Sequence, residues 1–329
     1  MATRTPVPFT RTLLPTFDVA PGVTGLRSMM VNVYFVSLAD ADGVGRWVLV
    51  DAGLPVSGHA IRSTAAKLFG DGMPPEAIFL THGHFDHTGV LKTLAEEWDV
   101  PIYAHPMEFP YLNGGASYAP PDPWAGGGMA WSSPLYPRGP VDVKDRLRPF
   151  PADGTLPFLS QWQWIATPGH SPGHVSFYRD HDKTLIAGDA FVTTRQEYLS
   201  TVLAQTQIVC GPPMYFTHDW GLAEESVKTL AGIGIETAAT GHGTPMRGEV
   251  LREQLNALAE DFRSQVPVGG RYADEPVVYD ENGPEHVPAA KPIPRAAIAI
   301  GVGAAVLGVV GIAAAVAMAA REDRDGNRR

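Results

Sequence analysis

The order of apolar and polar positions along the chain predicts strands that alternate with amphipathic helices. Strands are expected at 30–36, 47–50, 77–80, 101–104, 162–166, 175–178, 184–187 and 235–238. Helices are expected at 57–70, 90–98, 222–230 and 250–262, where apolar residues recur three or four positions apart. The second half of the chain echoes the first, so these elements predict one α/β domain that ends near residue 265.

Residues 105–157 interrupt this pattern with many prolines, glycines and aromatic residues. A long segment of this kind inside a domain is often a functional lid, and its aromatic residues favour an ordered structure. Two interpretations stay open. The rings either form a wall for a substrate or pack on the body of the domain for the stability of the segment itself.

The end of the chain has a different composition. Residues 266–295 are rich in proline, glycine and charge and predict a linker, and an uncharged run at 296–320 is followed by a charged tail at 321–329. The run is about 38 Å long as a helix, against a hydrocarbon core of about 30 Å. It predicts a transmembrane helix with the lipid bilayer as partner, and a buried core helix is the alternative.

The expected location is a C-terminal membrane anchor with the catalytic domain in the cytoplasm, because residues 1–22 hold no apolar signal segment. Small residues spaced four apart in the run would permit helix pairing, so a homodimer is one option. The formal net charge of −10 and the lack of a long Lys/Arg run argue against nucleic acid as a partner. The single cysteine, Cys210, excludes an intrachain disulfide.

The strongest chemical signal is a cluster of potential metal ligands directly after the predicted strand at 77–80. His82, His84, Asp86 and His87 stand within six positions. Imidazole and carboxylate groups together suit zinc, iron or manganese. The spacing places His82 and His84 toward one ion and Asp86 and His87 toward a second, so two adjacent metals are predicted. A polar loop with incidental histidines is the alternative.

Three later segments repeat one form, in which a strand is followed by a glycine and then by a potential ligand. They are Thr167-Pro168-Gly169-His170, Ala187-Gly188-Asp189 and Thr240-Gly241-His242. A glycine lets the backbone approach closely beside the ligand. His170, Asp189 and His242 are therefore the further candidates for a metal site.

With these motifs, residues 25–265 resemble the metallo-β-lactamase superfamily. The resemblance rests on His82-x-His84-x-Asp86-His87, on Thr167-Pro168-Gly169-His170-Ser171-Pro172-Gly173-His174, and on Gly188-Asp189 and Gly241-His242-Gly243. It implies a four-layer αβ/βα sandwich of two mixed sheets, with helices outside and two divalent ions at one edge. Together with the C-terminal run, the expected fold class is this α/β sandwich plus a single transmembrane helix.

The resemblance also implies a role for each ligand. His82, His84 and His170 would hold one ion, Asp86, His87 and His242 the other, and Asp189 would bridge the two. Asp51 matches an aspartate that orients ligands from behind, with a plain turn role as its alternative. His174 matches a motif histidine that is not a ligand. Zinc is the expected metal, with iron and manganese as alternatives.

The expected activity is hydrolysis of a small acyl substrate, an ester, lactone or thioester, by a hydroxide that bridges the two metals. Two divalent ions, Asp86, Asp189 and the hydroxide leave the site near +1, which would stabilise an oxyanion. Asp86 and Asp189 are the candidate catalytic residues, and Asp86 is the candidate proton carrier.

Two other classes stay open. The chain also resembles the persulfide dioxygenases, oxidoreductases that use one iron and share the same motifs on the same fold. A membrane scaffold that uses the site only for stability is the third. Aspartate at position 189 resembles the lactonase, thioesterase and glyoxalase II branches more than the true β-lactamases.

Overall fold

The computed structural model describes residues 16–38 and 45–291. The first half holds β1 (Thr16–Ala20), β2 (Val23–Ser28), β3 (Val31–Ser37), β4 (Trp47–Val50), α1 (Gly58–Phe69), β5 (Ile78–Phe79), α2 (Leu91–Trp98), β6 (Ile102–Ala104), α3 (Phe109–Leu112), α4 (Gly127–Ser132) and β7 (Leu147–Pro149). The second half holds β8 (Trp162–Ala166), β9 (Val175–Arg179), β10 (Thr184–Ile186), α5 (Leu199–Ala204), α6 (Trp220–Gly232), β11 (Thr237–Ala239), β12 (Met246–Arg247), α7 (Gly248–Glu260), β13 (Val278–Asp280) and β14 (Gly283–His286).

The strands form two mixed sheets and one hairpin. The seven-stranded sheet has the order β1-β2-β3-β4-β5-β6-β7 and the five-stranded sheet the order β12-β11-β10-β9-β8. Strands β1 to β4 pair antiparallel, whereas β4 to β7 pair parallel. Parallel strands end at the same edge of a sheet. The loops after β4, β5 and β6 therefore leave the sheet together.

Alternate residues of each strand enter different cores. In β3, Val33 and Phe35 pack toward α1 and α2, while Tyr34 and Val36 enter the core between the sheets. This is the period-two pattern of a strand buried on both faces. Each such side chain contributes roughly 1.5–3 kcal/mol to stability through its burial. The first sheet is thus fixed between a helix layer and the second sheet.

The second sheet repeats this arrangement with its own helices. Leu185 of β10 packs toward α6 and α7, and its neighbour Ile186 enters the core between the sheets. Helix α6 begins at the carboxylate of Asp219, which accepts a hydrogen bond from the Leu222 N–H at 2.9 Å. Its buried face includes Val227. The four layers confirm the predicted αβ/βα sandwich.

The membrane part of the predicted fold class is corrected. Among residues 16–38 and 45–291, no helix is both long and apolar enough to span a bilayer. The longest, α6 and α7, have 13 residues each, about 20 Å against about 30 Å of hydrocarbon. The run at 296–320 lies outside the described residues. We therefore withdraw the transmembrane helix, the lipid-bilayer partner and the membrane-anchored location.

The segment at 105–157 is ordered through short elements instead of long ones. Besides α3, α4 and β7 it holds four 3₁₀ turns, at Pro106–Glu108, Pro123–Ala125, Ser133–Leu135 and Lys144–Arg146. The buried rings of Tyr111 and Tyr118 stack with centroids 3.7 Å apart, whereas Trp131 is exposed. Part of this aromatic set therefore packs on the domain itself.

Residues 266–291, for which the sequence predicts a linker, lie against the domain. Tyr272 and Val277 are buried in the core beneath α6 and α7. The Val277 N–H donates to the His218 carbonyl at 3.1 Å, and the β13–β14 hairpin follows. A few apolar side chains without periodicity hold this segment, which explains why the pattern alone did not predict it.

Candidate metal centre

The loop after β5 carries four of the predicted ligands. It turns back at once, because the His87 N–H donates to the His84 carbonyl at 3.0 Å. This turn directs His82, His84 and His87 inward, and all three are buried. The Asp86 side chain is 13% exposed and is the most accessible member of the cluster. The loop thus presents nitrogen ligands to the interior and a carboxylate near the entrance.

All seven sequence-predicted ligands meet at one edge of the sandwich. His82, His84 and His170 place ligand atoms within 4.8 Å of one another, and so do Asp86, His87 and His242. His82, His87 and Asp189 form a third such group that overlaps the other two. We call the first set the three-histidine group and the second the mixed group. The described structure brings every predicted ligand into a group.

Asp189 lies between the two groups. Its Oδ2 is 3.1 Å from Nε2 of His242, 3.7 Å from Nε2 of His87 and 3.5 Å from Nε2 of His170. The glycine at position 241 makes this approach feasible, since a Cβ there would stand 2.0 Å from Oδ1 of Asp189. A single carboxylate oxygen therefore faces ligands of both groups.

Hydrogen bonds behind two histidines of the mixed group set their tautomers. The Nδ1 of His242 lies 2.6 Å from the Met30 carbonyl, and the Nδ1 of His87 lies 2.8 Å from the Asp51 carboxylate. Both partners can only accept, so each Nδ1 carries the proton. The Nε2 atoms of both rings therefore face the interior of the site, as metal ligation requires.

Two threonines set the tautomers of two histidines in the three-histidine group. The Thr81 hydroxyl donates to Asp51 at 2.9 Å and the Thr217 hydroxyl to the Pro213 carbonyl at 2.9 Å. Each hydroxyl can then accept from the Nδ1 of a histidine, His82 at 3.0 Å and His170 at 3.3 Å. The Nε2 atoms of both histidines are left with lone pairs, and Nε2 of His170 lies 3.0 Å from Nδ1 of His84.

These side chains fit a bound metal. The Nε2 atoms of His82 and His87 and Oδ1 of Asp189 are buried without a hydrogen-bond partner among the described residues. Each unsatisfied polar atom costs roughly 1–3 kcal/mol, a cost that a coordinated cation would offset. Imidazole nitrogens with carboxylate oxygens are the donors that zinc, iron and manganese take.

The charges of the site agree with this donor set. Burial lowers the pKa of His82, His84 and His170 well below the usual value, which keeps these rings neutral. Burial opposes ionisation of Asp189, but His242 and His87 outweigh it and hold its pKa well below the usual range. Burial is outweighed at His87 by Asp51, Asp189 and Asp86 and at His242 by Asp189, which raise the pKa of both rings. Neutral imidazoles and an ionised carboxylate are the forms that bind metals, so a metal would displace a proton from each of these two rings.

Asp51 lies behind the site, as the resemblance implied. Its carboxylate accepts from the Thr81 N–H at 2.8 Å and from the Thr81 hydroxyl, in addition to His87. Its φ of +62° is the left-handed conformation, in which Asp and Asn are enriched. A turn role and an orienting role are therefore combined in this one residue.

His174 supports Asp189 through the backbone. The Asp189 N–H donates to Nε2 of His174 at 2.9 Å, while Nδ1 of His174 lies 2.8 Å from the Thr167 hydroxyl. Gly188, with a φ of +54°, passes so close that a Cβ there would be 2.6 Å from the imidazole. His174 is thus a buried support of a ligand, which the resemblance also implied.

Two other histidines differ in their placement. The Nδ1 of His105 accepts from the Met107 N–H at 3.2 Å and caps a turn, away from the ligands. His218 is buried, with its ring centroid 6.4 Å from that of His84 and its Nδ1 2.5 Å from the Tyr279 hydroxyl. The contact between His218 and Tyr279 joins residues 61 positions apart, so no local pattern could have predicted it.

Glu108, a buried acid in the 105–157 segment, was not among the residues predicted to act at the site. It stands alone in a stretch without periodicity, so no pattern marked it. The sequence also did not show which aromatic residues approach the ligands. Phe216 packs against His84 with tilted rings whose centroids are 4.8 Å apart, and Phe85 and Tyr136 lie beside Phe216.

The sandwich and its histidine- and aspartate-lined edge define a metallo-β-lactamase type of fold. The model of the metallo-beta-lactamase superfamily matches residues 27–242 of this chain. A relative from Bacillus subtilis (strain 168), the probable metallo-hydrolase YflN, is 46% identical over 249 residues, which are 75% of this chain and 94% of the relative. The chain therefore belongs to the metallo-beta-lactamase superfamily.

Solved structures agree in fold. A beta-lactamase domain protein from Burkholderia ambifaria is 25% identical with a TM-score of 0.52, and the match covers 78% of this chain and 80% of that one. BJP-1, a subclass B3 metallo-beta-lactamase of Bradyrhizobium japonicum, is 20% identical with a TM-score of 0.51 and coverages of 76% and 92%. The second likeness concerns the fold alone.

Proposed function

We propose that this chain is a metal-dependent hydrolase that attacks the carbonyl of a small acyl substrate, an ester, lactone or thioester. The observation that carries the proposal is the convergence of five histidines and Asp86 in two adjoining groups, with Asp189 between them. The relative named a probable metallo-hydrolase, which covers most of both chains, supports the same class. Two divalent ions are proposed, with zinc as the expected metal and iron or manganese as alternatives.

Each group would hold one ion. His82, His84 and His170 supply three nitrogens to the first, and Asp86, His87 and His242 supply two nitrogens and an oxygen to the second. Asp189 would be shared, because its carboxylate faces His170 on one side and His242 on the other. Removing Asp189 would therefore weaken both ions.

Such ions supply Lewis acidity, which makes water a usable nucleophile near neutral pH and stabilises negative charge on a carbonyl oxygen. The residues of the chain contribute position and proton handling. Thr81, Asp51, Thr217 and Met30 hold the rings in one tautomer. Asp86 is the least buried carboxylate of the site. We propose that Asp86 receives the proton of the attacking water on an oxygen that faces solvent.

The wall beside the ligands suits an apolar acyl group. Phe85, Tyr136, Tyr215 and Phe216 form one aromatic cluster with centroid separations of 5.2 to 6.2 Å. Tyr136 comes from the 105–157 segment, and Phe85 stands next to Asp86. An acyl substrate would contact these rings while its carbonyl approached the ligands.

The test combines metal analysis with a substrate panel. The full chain is loaded with zinc, iron or manganese and assayed on acyl esters, lactones and thioesters, beside the variants Asp189→Ala and Asp122→Asn. Asp122 is a buried carboxylate outside the metal centre and serves as the matched control. We expect two ions per chain, hydrolysis by the wild type and by Asp122→Asn, and loss of at least about 100-fold in Asp189→Ala.

Equal turnover by Asp189→Ala and wild type would contradict the proposed mechanism. One iron per chain together with oxygen uptake on a persulfide would instead support the dioxygenase alternative. The two activities are separated by the product, because hydrolysis consumes water and releases an acid without oxygen uptake.

A further inference from the structure

Glu108 is a fully buried acid in the 105–157 segment, one turn after the end of β6. Both of its carboxylate oxygens are occupied. Oε2 accepts from the Gly83 N–H at 2.9 Å and from the Tyr118 hydroxyl, and Oε1 accepts from the Ser171 hydroxyl at 2.8 Å and the Gly173 N–H at 2.7 Å. All four partners are donors, which an ionised carboxylate can satisfy together.

Three of the four partners of Glu108 belong to the two loops that carry the three-histidine group, and the fourth, Tyr118, lies in the 105–157 segment. Gly83 stands between His82 and His84, in the loop after β5 of the seven-stranded sheet. Ser171 follows His170, in the loop between β8 and β9 of the five-stranded sheet. One side chain therefore ties ligand loops that come from different sheets.

The two loops are built for close approach to this carboxylate. A Cβ at position 83 would lie 2.6 Å from the Tyr118 hydroxyl and 3.2 Å from Oε2 of Glu108. A Cβ at position 173 would lie 2.9 Å from Cγ of Glu108. Side chains at these two positions would push the loops away from the Glu108 carboxylate. The lack of space therefore requires glycine at both.

Among the described residues, Glu108 makes no hydrogen bond to the ligands of the mixed group. The histidines of that group are held by Asp51 and by the Met30 carbonyl, and none of the hydrogen bonds of Glu108 reaches Asp86, His87 or His242. Asp51 also reaches the three-histidine group through Thr81 and His82, so the tie by Glu108 is what distinguishes the two metal positions. This difference allows the role of Glu108 to be tested one ion at a time.

We propose that Glu108 is a positioning residue that assembles the three-histidine group and that metal binding there depends on it, whereas binding at the mixed group does not. The inference rests on the proposed two-ion centre. Partners that orient metal ligands change metal affinity by about 10- to 100-fold when they are removed. We expect a loss of that size for one ion only.

The experiment isolates each ion in the full chain. His242→Ala leaves the three-histidine group intact, and His84→Ala leaves the mixed group intact. Glu108→Gln is then added to each background, and zinc affinity is measured by competition with a chelator. Glutamine keeps the size of the side chain, but its amide nitrogen meets a donor from one loop or the other. Asp122→Asn, in the same segment and equally buried, is the control.

We expect Glu108→Gln to weaken zinc about 10- to 100-fold in the His242→Ala background and to leave the His84→Ala background unchanged. Equal loss in both backgrounds, or no loss in either, would overturn the inference. Ser171→Ala removes one of the four bonds and should weaken the same ion by a smaller factor. If Glu108→Gln fails to fold, Ser171→Ala decides: an unchanged affinity in the His242→Ala background refutes the inference.

The failure of the proposed function is a separate result. A wild-type chain that binds two ions but hydrolyses nothing contradicts the function and leaves the test of Glu108 valid. A wild-type chain that binds a single ion contradicts the two-ion centre. The inference then stands only if that ion is retained in His242→Ala, lost in His84→Ala and weakened by Glu108→Gln.

Discussion

The substitution Asp51→Asn should place the proton of His87 on the wrong nitrogen. The carboxylate of Asp51 accepts from the Thr81 N–H, the Thr81 hydroxyl and Nδ1 of His87. An amide has only one oxygen, and if that oxygen keeps the Thr81 N–H, the amide NH₂ faces His87. Nδ1 of His87 must then accept, and its proton moves to Nε2. Nε2 is the atom that faces Asp189 and Asp86.

Asparagine is the informative replacement because it leaves the backbone unstrained. Residue 51 has a φ of +62°, which Asn tolerates and Ala does not. A hydrogen bond to a charged group contributes roughly 1.5–3 kcal/mol. A 10- to 100-fold loss of metal affinity, typical for partners behind a ligand, corresponds to about 1.4–2.7 kcal/mol. The two estimates agree, so a loss in this range is expected for the ion at the mixed group.

The assay is competition for zinc between a chelator and the metal-free protein, with wild type, Asp51→Asn and the control Asp122→Asn. Urea unfolding of the metal-free proteins shows how much of the effect is lost stability. An Asp51→Asn protein that folds and binds zinc as tightly as the wild type would refute the tautomer argument. A loss shared by Asp122→Asn would assign the effect to any buried carboxylate.

Two further predictions test the packing and the charges of the site. Gly241→Ala would place a Cβ 2.0 Å from Oδ1 of Asp189, and since a 1 Å displacement can cost about 100-fold, hydrolysis should fall by about that factor. Gly232→Ala, where nothing lies within 4 Å, should remain fully active. Burial, with Arg271 and Arg138, lowers the pKa of His218 to about 3. The unfolded chain, with a pKa of about 6.5, then binds a proton that the folded chain does not, and stability falls with decreasing pH below 6.5 by about 1.4 kcal/mol per unit. His218→Gln should remove one proton from this slope between pH 6 and 4 in urea unfolding of the metal-free protein, and an unchanged slope would contradict the assignment.

Periodic segments were predicted well because their burial pattern is local. Strands β4 and β8 begin and end where the alternation predicted, and α1, α2, α6 and α7 lie within a few residues of their predicted ranges. In each of them the side chains on one face enter one core, which leaves a regular signal in the sequence. The pair β1 and β2 was missed, since Thr16–Ala20 and Val23–Ser28 are short and mix polar with apolar residues.

The prediction of the membrane helix was wrong for a physical reason. Alanine and glycine make the run at 296–320 uncharged, but an uncharged composition by itself does not establish a membrane-spanning helix. The longest helices that the structure describes have 13 residues, and each covers one face of a sheet.

The sequence by itself determined which residues are candidate ligands, because His82 to His87 and the three later glycine-ligand pairs are local motifs, and the resemblance that these motifs carry predicted the αβ/βα sandwich. Only the tertiary structure decided which groups those ligands form and what supports them. Glu108, Asp51 and Thr217 bond to residues in the ligand loops that stand 25 to 65 positions away along the chain. Contacts over such distances exist only once the strands have paired and the two sheets have packed, so no local pattern records them.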